Sequence, residues 1–232
     1  MKAVILAGGY GSRISEESQS KPKPLIMIGE KPILWHIMKI YSYYGINDFI
    51  ICCGYKGHMI KKYFEKTEEM WNISCIDTGL DTMTGSRLKK IKNHINDTFH
   101  LTYGDTLSNV NISELIKIHK NNGKVATVTA CQPPEKYGIL EIKGNNVVNF
   151  IEKPPKKDIW VNGGFFVLEP KVFDYMVGEN ISWEENVMVK LVKENQLSAL
   201  KHNEFYQPMD TLKEKKLLNE LWNSNNARWK VW

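Results

Sequence analysis

At 232 residues, 42% of them apolar, and with a formal charge of +5, the chain is long enough to bury one sizeable α/β core. No apolar run approaches the roughly eighteen residues needed to cross a bilayer, and the Met1-Lys2-Ala3-Val4 start lacks the apolar stretch and cleavage site of a secretory signal. The charge is spread out rather than gathered into an arm or stripe, which argues against nucleic acid as a partner. A cytoplasmic protein without membrane attachment is expected. Cys52, Cys53, Cys75 and Cys131 sit in apolar contexts without metal-like spacing and read as buried free thiols.

In chain order, residues 2–6 form a short continuous apolar run, as in a strand buried on both faces, and it ends in Gly8, Gly9 and Gly11. Glycines let backbone N–H groups approach an anion, and Arg13, Lys21 and Lys23 follow with full charges. Pro22 and Pro24 stiffen the segment around Lys23. A helix is expected over 32–44, closed by Gly45, then a buried strand over 48–53 and a short helix over 57–64. A third strand over 100–103 runs into Gly104-Asp105, a helix from Ser113 ends at Gly123, and a fourth strand covers 125–131. Strands separated by helices predict a parallel sheet that binds its ligand at the carboxyl ends of the strands. Gly8-Gly9 and Gly104-Asp105 then share one rim. Beyond residue 132 a hairpin over 139–151 and an apolar strand over 160–168, broken at Gly163-Gly164, are expected to cover that rim. The chain reads as one domain, with a nucleotide-binding portion over 1–132 and an acceptor-binding portion with a C-terminal helix over 133–232.

The glycine loop fits neither common phosphate-binding pattern. No Gly-Lys-Ser/Thr occurs, and position 14, where a dinucleotide fingerprint has its third glycine, is Ile14. Asp105, at the end of its strand, is placed to hold Mg²⁺, a cation that takes few protein oxygens and several from phosphate. Asp210 precedes Thr211-Leu212-Lys213-Glu214, a capping-box pattern, so either Asp210 or Thr211 reads as the cap of the last helix. The six histidines form no triad or ligand grouping. A nucleophile that needs no base is therefore favoured. A phosphate monoester qualifies, because its second pKa of about 6 leaves it largely dianionic at neutral pH. These residues together point to nucleotidyl transfer onto a phosphate, driven by positioning and charge neutralisation.

The run LAGGYGSR with KPKPL resembles the start of the sugar-1-phosphate nucleotidyltransferases. KPILWHIMKIYSYYGINDFIICCGYKG, DTGLDTMTGSRLKK, LTYGD, NGGFFVL and FYQPMDTL extend the likeness and are similar to the glucose-1-phosphate cytidylyltransferase branch. The resemblance implies a Rossmann-like, mostly parallel sheet flanked by helices (GT-A-like), with a smaller β-rich acceptor-side region. It also implies CTP as donor, Mg²⁺ as cofactor and pyrophosphate as leaving group. By the same resemblance Arg13 and Lys23 are catalytic. Leu6, Ala7, Gly8, Gly9, Gly11, Ser12, Arg13, Lys23, Tyr103 and Gly104 would hold the nucleotide, with Thr84, Gly85 and Ser86 near the cytidine. Asp105 and Asp210 would carry the metal, which displaces the reading of Asp210 as a cap. Gly138, Glu152, Lys153, Asn162 and Gly163 would contact the acceptor. Tyr10, Ser12, Ser86, Thr106 and Asn186-Val187-Met188 depart from the branch pattern, and the segment over 65–76 is shorter than its counterpart. The donor half is thus better kept than the acceptor half. The expected acceptor is a sugar 1-phosphate such as glucose 1-phosphate, in capsule or surface polysaccharide synthesis. The alternatives are a non-sugar phosphate, such as the phosphoglutamine of capsule phosphoramidate synthesis, and an inactive nucleotide-binding regulator. Trp222, Trp229 and Trp232 form an aromatic tail that would pack on a second subunit of a homo-oligomer or fold back on its own domain.

Overall fold

The computed structural model describes residues 1–133, 139–151 and 159–232. The main sheet has seven strands: β1 (Ala3–Ala7), β2 (Asp48–Cys53), β3 (Asn72–Asp77), β4 (Phe99–Tyr103), β5 (Ala126–Cys131), β6 (Val161–Leu168) and β7 (Leu197–His202). Their order is β7-β5-β6-β4-β1-β2-β3. Every pairing is parallel except those of β6, which runs antiparallel between β4 and β5. The expected mostly parallel sheet is observed.

Helices α1 (Ile33–Tyr43), α2 (Gly57–Phe64), α3 (Thr84–Lys90), α4 (Ile112–Asn122) and α5 (Leu212–Asn223) accompany it. Strand alternation sorts the core into two layers. Ile5, Ile51, Phe165 and Val167 pack with Ile37 of α1, Ile60 of α2 and Leu115 of α4. Val4, Ile50, Phe166 and Leu168 face the other way, onto Leu88 of α3 and Trp183. Each such burial is worth about 1.5–3 kcal/mol, and because both faces are covered, β1 and β2 are nearly continuous apolar runs.

Of the elements just named, three are additional to the sequence expectation: edge strands β3 and β7, and helix α3. Residues 160–168 are also not a broken strand. β6 is continuous, and its glycines make a bulge, since Asn162 pairs with Ala130 but Phe166 pairs with Val128. A Cβ on Gly163 would lie 2.5 Å from Cys131 Sγ, and Gly164, at φ +77°, would bring one within 2.6 Å of the Tyr103 ring. β6, expected to cover the rim, instead joins the sheet. The hairpin Ile139–Lys143 with Asn146–Ile151 forms as expected.

The aromatic tail folds back on its own chain. Trp229 is fully buried, stacks on Trp222 at 6.3 Å, and donates from Nε1 to His36 Nδ1 at 3.3 Å. His36 in turn bonds the Ile28 carbonyl, and burial pulls its pKa down to about 4. All four cysteines are free, three of them buried and Cys75 only half-buried. Among the described residues no helix is long and apolar enough to cross a membrane.

Candidate active site

The strand order brings the ends of β1 and β4 side by side, and the turns that follow them floor a cleft of about 670 Å³. The glycine loop forms one lip. Residues 80–84 form the other, and Ser182 with Glu184 closes one end. The Gly8 carbonyl accepts hydrogen bonds from Tyr55 N at 3.1 Å and Arg87 Nη2 at 3.0 Å. A Cβ on Gly8 would lie 2.3 Å from the Arg87 guanidinium, so the approach requires glycine. Across the mouth, the Tyr10 hydroxyl donates to Asp81 Oδ1 at 2.5 Å, and this bond holds the phenol pKa above its ordinary value.

At the floor sits Lys23, in a short turn (Lys23–Leu25) framed by Pro22 and Pro24. Its ammonium lies 2.6 Å from Asp105 Oδ2 and 2.7 Å from Asp210 Oδ1, with only 10% of the side chain exposed. Burial alone would lower the Lys23 pKa, but the two carboxylates outweigh it and hold the group above its ordinary value. Arg13, 72% exposed, reaches the second oxygen of Asp210 at 2.7 Å. Thr106 donates to Asp105 Oδ1 at 3.2 Å, so the residue that departs from the branch pattern helps orient this carboxylate.

Asp210 is not the helix cap. Thr211 and Glu214 complete the capping box of α5, which leaves the Asp210 side chain free to face Lys23 and Arg13.

Two functional candidates carried no sequence expectation. Arg87, 4% exposed, donates to the carbonyls of Gly8, Cys53, Gly79 and Leu80 and to Thr78 Oγ1, so one guanidinium ties the loop after β3 to the glycine loop. Glu184 accepts from Tyr103 Oη at 2.6 Å, Thr84 Oγ1 at 2.7 Å and Ser182 Oγ at 3.1 Å. Desolvation, and then the Glu184 charge, raise the Tyr103 pKa, so its hydroxyl stays a donor. Arg87 was legible only if TGSRLKK is first recognised as a helix with an inward arginine. Glu184 gave no motif signal of its own and is picked out only by the hydroxyls that converge on it in the fold.

The cleft is lined by Leu6, Ala7, Gly8, Gly9, Gly11, Ser12, Arg13, Lys23, Thr84, Tyr103, Gly104 and Asp105. Gly85 and Ser86 stand behind it instead. A Cβ on Gly85 would lie 2.8 Å from Ile181 Cγ2. The Ser86 hydroxyl donates to the Glu179 carbonyl and accepts from Ile181 N at 2.7 Å. Asn162, at the start of β6, donates to Tyr103 Oη at 3.1 Å, and Gly163 is buried against Cys131 and Thr129. Gly138, Glu152 and Lys153 lie outside the described residues.

Residues 2–227 match the model of the family described as "Nucleotidyl transferase". The chain belongs to that family. Glucose-1-phosphate cytidylyltransferase of Salmonella typhimurium is 46% identical over 256 residues, with 100% of both chains covered. A probable glucose-1-phosphate cytidylyltransferase of Bacillus subtilis is 44% identical over 255 residues, again with full coverage. Both alignments are longer than the 232 residues present here, so these relatives carry segments that this chain lacks. The fold matches a crystal structure of a putative glucose-1-phosphate thymidylyltransferase from Bacillus anthracis, with a TM-score of 0.75 and 21% identity over 98% of this chain and 95% of that one.

Proposed function

We propose that this nucleotidyl transferase moves CMP from CTP to a sugar 1-phosphate, with glucose 1-phosphate the preferred acceptor, releasing pyrophosphate. The observation that carries the reading is the convergence of Asp105 and Asp210 on Lys23, with Arg13 beside it, at the foot of the glycine loop. The identity of donor and acceptor draws on the cytidylyltransferases that match over their whole length.

The chemistry needs no protein base. An oxygen of the acceptor phosphate attacks the α-phosphorus of CTP, and the bond to pyrophosphate breaks. Backbone N–H groups of the glycine loop would cradle the phosphates. Arg13 and Lys23 would neutralise charge on the α-phosphoryl group and the departing pyrophosphate.

The two cations now balance two carboxylates. When phosphates engage Arg13 and Lys23, Asp105 and Asp210 are left as hard oxygen donors facing polyphosphate, a set that suits Mg²⁺. The fit rests on both carboxylates already converging on one compact cation. Mg²⁺ held there would supply Lewis-acid stabilisation of the phosphoryl oxygens.

Thr84 would lie near the cytidine. Gly85 and Ser86 would act from behind, by fixing the start of α3 on residues 179–183. Asn162 and Gly163, with Gly138, Glu152 and Lys153, would form the acceptor side.

Pyrophosphate release measured with CTP against UTP, dTTP and ATP, and with glucose 1-phosphate against other sugar, polyol and amino-acid phosphates, tests the reading. CTP and glucose 1-phosphate should give the highest kcat/KM. A rate with dTTP that equals or exceeds the rate with CTP, or preference for a non-sugar phosphate, would overturn it.

A further inference from the structure

A second cavity, of about 580 Å³, opens where β2 and β3 end. Cys53, Cys75 and Asp77 line it from the strands, and Lys56, His58 and Lys61 line it from the loop and from α2. Cys53 pairs with Asp77, and Cys75 pairs with Ile51. Strand alternation therefore turns both sulfurs to the same face, the one covered by α2. Cys53 is closed over by α2, since a Cβ on Gly57 would lie 2.7 Å from Cys53 Cβ, whereas Cys75 remains half-buried. Nothing in the proposed transfer reaction uses either thiol.

The other two cysteines are differently placed. Cys52 points into the opposite core layer, Cys131 is buried at the end of β5, and burial pushes both thiols up to about 12. For Cys75 the direction reverses. The neighbouring Cys53 thiol, with the Lys61 charge, lowers its pKa despite partial burial and the nearby Glu65 carboxylate. Partial exposure at a cavity and a cationic neighbour, Lys61, together distinguish Cys75 as a reactive cysteine from the fully buried, inert ones.

We propose that Cys75 is a modification site, S-thiolated by small anionic disulfides, with Cys53, on the same face of the adjoining strand, as its positioning residue. The Cys75 thiolate attacks one sulfur of the disulfide. The new Cys75–S bond forms as the disulfide bond breaks, and the other half leaves as a thiolate that solvent protonates. Cys75 is oxidised and the departing half is reduced, so electrons balance without a further reagent. An anionic reagent is selected because two lysines line the cavity against one aspartate.

The test treats the full chain with limiting oxidised glutathione, which is anionic, or cystamine, which is cationic. Each rate is normalised to that of mercaptoethanol with the same reagent, and the adduct is located by peptide mass. One adduct on Cys75 is expected, forming at least about tenfold faster than any on Cys52 or Cys131, with the higher normalised rate for oxidised glutathione. Cys75→Ser should abolish it. Cys53→Ala should slow it severalfold, and Cys53→Ser, which restores a donor, should recover part of the rate. Equal labelling of Cys52 or Cys131, labelling only after denaturation, faster reaction with cystamine, or an unchanged rate in Cys53→Ala would each overturn the proposal. The wild-type map and Cys75→Ser decide the matter even if the Cys53 variants fold poorly.

Discussion

Lys23 and Arg87 are both buried cations near the glycine loop, and they are held in opposite ways. Lys23 faces two carboxylates, Asp105 and Asp210. Arg87 faces four backbone carbonyls and one hydroxyl. A carboxylate partner is an ion that phosphate or metal can replace, so Lys23 belongs to an exchangeable cluster. Carbonyl partners are fixed dipoles of the fold, so Arg87 sets geometry and stays put. The same kind of charge thus does chemistry at one place and architecture at the other.

Lys23→Met should have the largest effect. Loss of the charge that meets the developing phosphoryl charge should lower kcat roughly 10²- to 10³-fold, with a native far-UV spectrum retained. Steady-state pyrophosphate release decides it, and a kcat within threefold of wild type would refute the role. Arg87→Met should act on the other side of the contrast. It removes one donor from each of four carbonyls and takes from those of Gly79 and Leu80 the donor that holds them, and a loss of roughly 3 kcal/mol of stability is expected in urea unfolding. The KM for CTP should rise more than kcat falls, because the Gly8 carbonyl and the Gly79-Leu80 segment lose their common tether.

His36 extends the comparison to a base that the fold keeps uncharged. Its partners, the Trp229 indole N–H and the Ile28 carbonyl, are neutral, and its pKa of about 4 lies below the unfolded value of about 6.5. The unfolded chain therefore binds the proton more readily. The contribution of His36 is complete above pH 6.5 and is lost as pH falls toward 4, amounting to about 2 kcal/mol between pH 7 and 4.5. Urea midpoints should fall over that window in wild type, with a shallower fall in His36→Gln. Identical slopes would show that His36 is not the group responsible.

How legible these arrangements were follows from burial. β1 and β2 are covered on both faces and appear as apolar runs, and β4 and β5 as short buried runs interrupted only by His100 and by threonines, so the centre of the sheet and the rim with Gly8 and Asp105 could be read directly. β3 and β7 are edges, with polar residues such as Ser74 and Lys201 alternating into them, and their periodicity is weak. Lys23 was visible because two prolines frame it. Its partner Asp210 was obscured, because the adjacent Thr211 and Glu214 make a real capping box that explains the same residues locally. Arg87 was hidden for a different reason: its partners are carbonyls, which carry no side-chain signature in a sequence.

Tyr10 offers the smallest and most specific test. It departs from the branch pattern, and its hydroxyl crosses the cleft mouth to Asp81 while its ring sits 5.3 Å from that of Tyr55. Tyr10→Phe keeps the ring contact and deletes only the bond between the two lips. Because this bond is exposed to solvent, water replaces much of it in the variant, and the change should be modest. A rise of about two- to threefold in the KM for CTP, with kcat within twofold, is expected from losing one such bond. Asp81→Asn, which keeps an acceptor but removes the charge, should fall between Tyr10→Phe and wild type. If Tyr10→Phe lowers kcat as far as Lys23→Met does, then the glycine-loop lip takes part in the chemical step and does more than enclose the nucleotide. The division between exchangeable charges and fixed geometry would then have to be drawn elsewhere in the cleft.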